Sequence, residues 1–298
     1  RSLSNSVGGA ERFVLDILKP SAESFDDLRR ARAERWPQGG EISRLLTYLN
    51  WLPGSDWLPP AMLYWQVNTA SSSDRMLSFF KALDRYSYGL RFLRLGASKR
   101  VARYGALCAA IRKGEDVLGP GGPMSLSGAE ERNIRYNMHE IYDRIPVLSK
   151  LILLRLNDRI AGRQHSLDHG DWTVEHVLPR KFAAQSQWRT WFEHPALRAA
   201  CTESLGNLVI VSKAQNDRAA NHDFARKQAI YFDGGASVLP ITEPLRTAKE
   251  WLPEAVFARE AALYEHLDAI WGFGLAASRA PQVQELLAEA RNSRQARR

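Results

Sequence analysis

The chain has 298 residues, 45% of them hydrophobic, which is enough for one large domain or two of ordinary size. Its 9 Trp, 9 Tyr and 11 Phe residues supply material for packed cores, so the composition excludes an intrinsically disordered protein. A formal net charge of +8 and a pI near 9.6 favour polyanionic partners, with nucleic acid first among them.

The two cysteines, Cys108 and Cys201, are too few for a disulfide framework, and neither belongs to the Cys-x-x-Cys pair of a structural zinc site. They favour a reducing compartment, and we expect a cytoplasmic protein. No stretch reaches the 18 or so consecutive apolar residues of a membrane-spanning helix. The chain opens on Arg1-Ser2-Leu3 without Met or a hydrophobic signal region, which we interpret as a fragment of a longer protein.

Residues 1–125 are predicted to form an N-terminal helical region, because their apolar residues recur at helical spacing. The predicted helical stretches are 25–35, 42–49, 60–67, 74–88 and 91–113. The Gly-Pro-Gly-Gly-Pro run at 119–123 then interrupts regular structure and is predicted to be a loop or a linker.

Residues 126–278 are predicted to form a second, mostly helical region, in which two short β-branched runs indicate strands. The predicted elements are helices at 127–135 and 148–156, a strand at 172–174, a helix at 187–200, a strand at 208–211, and helices after Ser212, after Asp223 and over 251–271. Residues 279–298 are predicted as a basic C-terminal helix and tail. The fold class is therefore mainly α, with a small ββα unit at about 172–231 inserted among the helices.

A group of polar residues follows the order of this ββα unit. Glu175-His176-Val177-Leu178-Pro179 comes directly after the first strand, and Asn207 precedes the second strand. Asn216 comes nine positions later, in the helix that follows. Strand, connection, strand and helix would bring a carboxylate, an imidazole and an amide oxygen into one small cleft.

These residue types suit phosphodiester hydrolysis. A divalent cation, Mg²⁺ or Mn²⁺, would stabilise the charge on the phosphate, and Glu175 and Asn216 supply the oxygen ligands that such an ion prefers. A neutral imidazole suits proton removal from the attacking water, so His176 is the predicted general base. We expect Asn207 or a backbone carbonyl to hold the other ring nitrogen in one tautomer.

The same motifs resemble the HNH (His-Me finger) nucleases, in which an acidic-His-x-x-Pro element, a middle Asn and a final Asn or His recur in this order. Thr173 to Pro179, Ser204 to Leu208, Asn216 and the Phe-Ala-Arg-Lys run at 224–227 resemble, more closely, the C-terminal nuclease domain of GmrSD-type modification-dependent restriction enzymes. SspE-type anti-phage proteins, which respond to phosphorothioated DNA, share that domain. One departure is Glu175, where many HNH sites have Asp, although Glu resembles the restriction-associated family.

The resemblance implies an HNH finger that cuts double-stranded DNA in prokaryotic defence against phage. The nucleotide-hydrolysing sensor domain that precedes the nuclease in this family carries an Asp-Gly-Gln-Gln-Arg motif, and this motif is absent here. The implied partner is therefore a missing N-terminal domain of the same protein. Because a single HNH site cuts one phosphodiester at a time, we expect nicking.

Basic residues beside the motifs are predicted to bind nucleic acid through phosphates. They are Arg180, Lys181, Arg218, Arg226 and Lys227.

Several alternatives stay open. Asn207 follows Gly206 in a pair typical of turns, and Asn216 could cap a helix. His165 and His169 could touch phosphate, and His222 could be a further ligand. For the whole chain, the alternative to an endonuclease is a catalytically decayed DNA-binding or assembly module of a defence complex, and RNA is the alternative substrate.

Overall fold

The computed structural model of the chain describes residues 9–68, 73–162, 170, 172–233 and 238–295. The chain divides into two compact units, Arg1–Gly128 and Ala129–Arg298. Within the described ranges, no helix combines the length and the apolar character that crossing a bilayer requires.

The N-terminal unit is built from helices. A helical stretch begins with Ala10–Arg12 and a π-helical segment, Phe13–Leu18, and continues as α1. The helices are α1 (Lys19–Arg29), α2 (Gly39–Trp51), α3 (Leu58–Val67), α4 (Ser73–Phe92) and α5 (Ala97–Arg112). Large aromatic side chains fill the space between them: Tyr64 stacks on Phe79 with ring centroids 3.7 Å apart, and Trp65 and Phe80 are fully buried.

Two predicted helices of this unit have different bounds in the structure. The helix predicted at 25–35 already ends at Arg29, because Ala31 takes a left-handed backbone conformation with φ 52°. The stretch predicted at 91–113 is divided between α4 and α5, and Arg94, with φ 57°, marks the break. Helical periodicity does not show such single-residue breaks.

The C-terminal unit contains helices and one small sheet. Its elements are α6 (Gly128–Met138), α7 (Ile141–Arg144), α8 (Pro146–Ala161), β1 (Trp172–His176), α9 (Trp188–Trp191), α10 (Pro195–Glu203), a 3₁₀ turn (Leu205–Asn207), β2 (Leu208–Ser212), α11 (Lys213–Ala219), α12 (Phe224–Tyr231), a 3₁₀ turn (Glu243–Leu245), α13 (Pro253–Trp271) and α14 (Leu275–Gln295). The expected mainly α fold with two short strands is confirmed.

The helix predicted at 187–200 is two helices, α9 and α10. The break precedes Pro195, whose ring disfavours a helical conformation at the residue before it. His194 accordingly has an extended backbone, with φ −76° and ψ 116°. Its imidazole then accepts a hydrogen bond from the backbone N–H of Leu197 and caps α10.

The two strands pair antiparallel, with Glu175 opposite Val209 and His176 opposite Leu208. β2 leads directly into α11 because Ser212 ends the strand and caps the helix. The Ser212 hydroxyl accepts from the backbone N–H of Gln215, whose side chain accepts in return from the Ser212 N–H. The sheet and the helix that follows it are thus joined without a loop.

An apolar cluster fixes this sheet against its helices. Val209 and Val211 of β2 pack with Trp188, Phe224 and Trp251, all of them buried. Phe224 stacks on Trp251 with ring centroids 6.0 Å apart. Truncation of a buried aromatic side chain to Ala costs about 3–5 kcal/mol, so this cluster contributes a large share of the unit's stability.

Candidate active site

Glu175 and His176 lie at the end of β1, and their side chains leave opposite faces of the strand. Glu175 is buried, and hydrogen bonds engage both of its carboxylate oxygens. Oε1 accepts from Lys227 Nζ at 2.5 Å and from the Tyr231 hydroxyl at 3.0 Å, while Oε2 accepts from the backbone N–H of His176 at 3.0 Å. The carboxylate thus bonds both to the backbone of its own strand and to two side chains of α12.

Lys227 is the internal cation of this network. Its side chain is fully buried, and Nζ also donates to the backbone carbonyl of His176 at 2.6 Å. Burial lowers the pKa of Lys227, and the Glu175 carboxylate opposes that shift. The predicted phosphate contact of Lys227 is therefore corrected to an ion pair inside the protein, because the ammonium group is not on the surface.

Tyr231 completes the network from the next turn of α12, four residues after Lys227. Burial raises the pKa of Tyr231 well above its usual value, so the phenol stays protonated and donates to Glu175. Burial also raises the pKa of Glu175, and Lys227 is the main group that opposes this shift. One face of α12 therefore holds the end of β1 in place.

The His176 ring lies on the other side of the strand, against residues from α7 and α10. Tyr142 meets it edge to face with ring centroids 4.5 Å apart, and Glu203 Oε2 lies 4.0 Å from Nε2. Nε2 is enclosed and has no hydrogen-bond partner among the described residues. Burial, then Arg180 and Lys227, lowers the pKa of His176 to about 3, so the imidazole is neutral at pH 7.

Arg180 lies at the edge of the His176 surroundings. Its guanidinium donates to Glu203 Oε2 at 2.6 Å and lies over the ring of Tyr142, 4.9 Å from the ring centroid. Arg180 also lines a cleft of about 420 Å³ that includes Glu203 and Arg198. The Arg180 side chain is 47% exposed, so its charge is available to an anion that enters the cleft.

Asn207 clamps the loop that follows His176. Its amide oxygen accepts from the Leu178 N–H at 2.7 Å and from the Trp251 indole N–H at 3.1 Å. Its amide nitrogen donates to the carbonyls of Leu178 at 2.9 Å and Thr202 at 3.0 Å. The predicted contact between Asn207 and the His176 ring is not made, because these other bonds engage both ends of the amide.

Gly206 allows the Asn207 turn to press against α13. A Cβ at Gly206 would lie 2.0 Å from the carbonyl oxygen of Val256 and 2.8 Å from the backbone nitrogen of Glu260. No side chain fits there, so the glycine is required by close packing.

Asn216 lies on α11, against β1. Its amide nitrogen donates to the Thr173 hydroxyl and to the Val174 carbonyl, both at 3.2 Å. Thr173 and Glu175 leave the same face of β1, because they are two positions apart. Asn216 and Glu175 are therefore on the same side of the sheet, and the His176 ring is on the other. The expected single cleft that holds all three side chains is not what the structure shows.

The motif segment matches a known family. Residues 130–266 match the family model described as GmrSD restriction endonucleases, C-terminal domain. This segment is a GmrSD C-terminal domain. The family implies a restriction-type nuclease that acts on DNA. Comparison with curated proteins and with solved structures found no significant match.

The other predicted phosphate contacts of the GmrSD C-terminal domain are on its surface. Lys181 and Arg226 are exposed, and Arg218, also exposed, pairs with Asp233 at 2.9 Å. His222 is exposed, and its backbone carbonyl accepts from the Trp188 indole N–H. His165 and His169 lie outside the described residues.

The donors of Glu175 and Asn216 fit a hard divalent cation by their chemistry, since both offer oxygen. The Thr173 hydroxyl and the Val174 carbonyl fix the Asn216 amide through its nitrogen, and its oxygen is the end that a cation would bind. A cation at Glu175 would have to share the carboxylate with Lys227. No group of three or more His, Cys, Asp or Glu residues suited to a metal occurs within the part of the chain that the structure describes. A cation here would therefore take few protein ligands.

Three residues of the candidate site were not found from the sequence. Tyr231 had a signal, since it lies one helical turn after Lys227 on the same face of α12. Glu203 and Tyr142 had none, because they belong to α10 and α7, which carry no motif. Only the fold brings them to His176.

Proposed function

We propose that the GmrSD C-terminal domain of this chain is an HNH-type, metal-dependent DNA endonuclease with His176 as its general base. The observation that supports this most is the position of His176. Its imidazole is neutral at pH 7, lies at the end of β1 and is next to the cationic Arg180. A neutral imidazole beside a cation can take a proton while a phosphate is held close by.

Arg180 would bind the phosphodiester. Its charge lowers the pKa of His176 in the free protein. A bound phosphate would offset that charge, so the imidazole would become a stronger base as the substrate arrives. Lys181 and Arg226 are exposed and would add phosphate contacts that carry no sequence information.

Glu175 and Asn216 would hold a divalent cation, Mg²⁺ or Mn²⁺. Once bound, the cation would stabilise the charge on the departing oxygen. The contacts of Asn216 with Thr173 and Val174 would orient its amide oxygen, and Lys227 and Tyr231 would orient Glu175. Asn207 would act by holding the loop after His176, not by touching the substrate.

A single site of this kind cuts one strand, so the expected product is nicked DNA. The biological setting would be the prokaryotic cytoplasm, where the domain would act as the effector half of an anti-phage restriction protein. A nucleotide-hydrolysing sensor domain, tuned to a modification such as phosphorothioation, would be its partner.

The test is a nicking assay on supercoiled plasmid with Mg²⁺ or Mn²⁺. We expect the full chain to relax the plasmid, chelation to stop it, and His176→Ala to remove activity while DNA binding persists. His266→Ala is the matched control, since His266 is a half-buried histidine on α13 outside the proposed site. Retained nicking in His176→Ala would refute the role of His176 as the base. Preferential cleavage of structured RNA would show that RNA, not DNA, is the substrate.

The alternative is a catalytically decayed DNA-binding or assembly module. One observation favours it: the carboxylate expected to bind the cation is already paired with the buried Lys227. If this alternative is correct, the wild-type chain and His176→Ala should bind DNA equally. Neither should cut the plasmid with Mg²⁺ or with Mn²⁺.

A further inference from the structure

The enclosed nitrogen of His176 lacks a partner that a catalytic imidazole needs. A histidine base works best when its second ring nitrogen is held by an acceptor, which fixes the tautomer and the ring orientation. Nε2 is buried and unpartnered among the described residues, and Asn207, predicted for this role, bonds elsewhere. The acceptor must therefore come from another residue.

Glu203 has the right position. Its Oε2 is 4.0 Å from His176 Nε2, about 1 Å beyond hydrogen-bond distance. Catalytic hydrogen bonds are often long in the free enzyme and shorten when the substrate binds. The same oxygen accepts from Arg180 at 2.6 Å, so the guanidinium holds the carboxylate beside the imidazole.

We propose that Glu203 is the positioning residue of His176, a role that rests on the proposed nuclease function. Its carboxylate accepts a hydrogen bond from Nε2–H, and this leaves the lone pair of Nδ1 free to receive a proton from the attacking water. The positive imidazolium that results lies next to the negative carboxylate, which stabilises it. Glu203 does not touch the substrate.

Two neighbours make this arrangement specific. Tyr142 packs edge to face on the imidazole and limits its rotation. Arg180 contacts both Tyr142 and Glu203, so one guanidinium links the ring's packing partner to its proposed acceptor. A phosphate that binds Arg180 would compete for the guanidinium and loosen its hold on Glu203, which would leave the carboxylate free to approach Nε2.

The first test is kinetic and uses the full chain. Glu203→Gln keeps the shape of the side chain and removes its charge, and we expect it to lower kcat for plasmid nicking by roughly 10- to 100-fold. The melting temperature should stay at its wild-type value, and KM should not rise, because Glu203→Gln frees the Arg180 guanidinium for phosphate. Glu203→Asp should recover part of the rate. Glu289→Gln, which neutralises an exposed carboxylate on α14, is the matched control and should have no effect.

A double-mutant comparison separates positioning from a general structural role. If Glu203 acts through His176, Glu203→Gln should cause no further loss in the residual nicking rate of His176→Ala, measured at high enzyme concentration and long times. Full activity of Glu203→Gln, an equal loss in both backgrounds, or a gain in activity would overturn the proposal. A gain would mean that the carboxylate blocks the cleft instead of serving the base.

A second readout does not need nuclease activity. The ring nitrogens of His176 can be observed by ¹⁵N NMR, with His176→Ala to assign them. We expect the tautomer with the proton on Nε2 in the wild type, and a change in its population in Glu203→Gln. If the wild type does not cut DNA, the nuclease function fails, while these spectra still test the contact; identical spectra in both proteins would reject it.

Discussion

Replacement of Lys227 by Met tests the buried ion pair that holds the site together. The substitution keeps most of the volume and apolar length of the side chain but removes the charge beside Glu175. The carboxylate would then lose its contact with a cation at 2.5 Å while remaining buried. A buried charge left without its partner costs about 3–5 kcal/mol, and we expect that loss in the C-terminal unit.

The assay is urea unfolding followed by tryptophan fluorescence, with calorimetry for the melting temperature. A loss of this size corresponds to a fall of about 6–20 °C for a unit of this length. The effect should depend on pH. Without Lys227 the pKa of Glu175 rises further, and a carboxyl with a raised folded-state pKa destabilises the fold increasingly as pH increases. The deficit should therefore be larger at pH 8 than at pH 5.

Two further variants make the prediction decisive. In the double variant Glu175→Gln with Lys227→Met, neither charge is present, so most of the lost stability should return. Lys213→Met removes an exposed lysine that pairs with Asp217 at 2.9 Å, and it should cost less than about 1 kcal/mol. The reasoning fails if Lys227→Met is as mild as this control, or if the double variant is no more stable than Lys227→Met alone.

Three other predictions concern residues of the C-terminal unit. Gly206→Ala should destabilise the C-terminal unit by about 3 kcal/mol in urea unfolding, because its Cβ would clash with α13, whereas Gly105→Ala, in an open helical position, should stabilise by up to ~1 kcal/mol. The pKa of buried His139 is lowered to about 4, so the stability it contributes is complete above its unfolded value near 6.5 and is lost as pH falls towards 4; between pH 7 and 4.5 we expect a loss of roughly 2 kcal/mol, absent in His139→Gln. Arg226→Ala should weaken DNA binding and reduce the salt slope by about one, measured by fluorescence anisotropy at several salt concentrations; an unchanged slope would remove Arg226 from the interface.

The sequence predicted those parts of the fold whose signal is local. The β-branched run at 208–211 and the run before Glu175 both became strands that pair with each other, and the apolar side chains of the run at 208–211 are buried. The helices predicted across Arg94 and Pro195 are each divided in the structure, because of backbone conformations that hydrophobic periodicity does not detect. The backbone of Arg94 is left-handed, and Pro195 restricts the residue before it.

The candidate site was predictable in its motifs but not in its contacts. Glu175, His176, Asn207 and Asn216 could be found from order and spacing, and all four lie on or next to the two strands or the helix after them. The buried environment of Lys227 could not be predicted, because a basic residue on a short helix is usually on the surface. Only the structure shows that α12 packs over β1 and buries it. Glu203 required the tertiary fold, because 27 positions separate it from His176 and no motif links them.

The pairing of Lys227 with Glu175 also bears on how relatives of this domain can diverge. Neither member of the pair can change alone without leaving a charge stranded in the interior, so single substitutions at either position should be selected against. The two positions should therefore drift together, as a charged pair or as a matched neutral one. Natural relatives with the neutral pair would already carry both substitutions, and nicking assays on them with and without Mg²⁺ would test whether the proposed cation depends on the carboxylate at position 175.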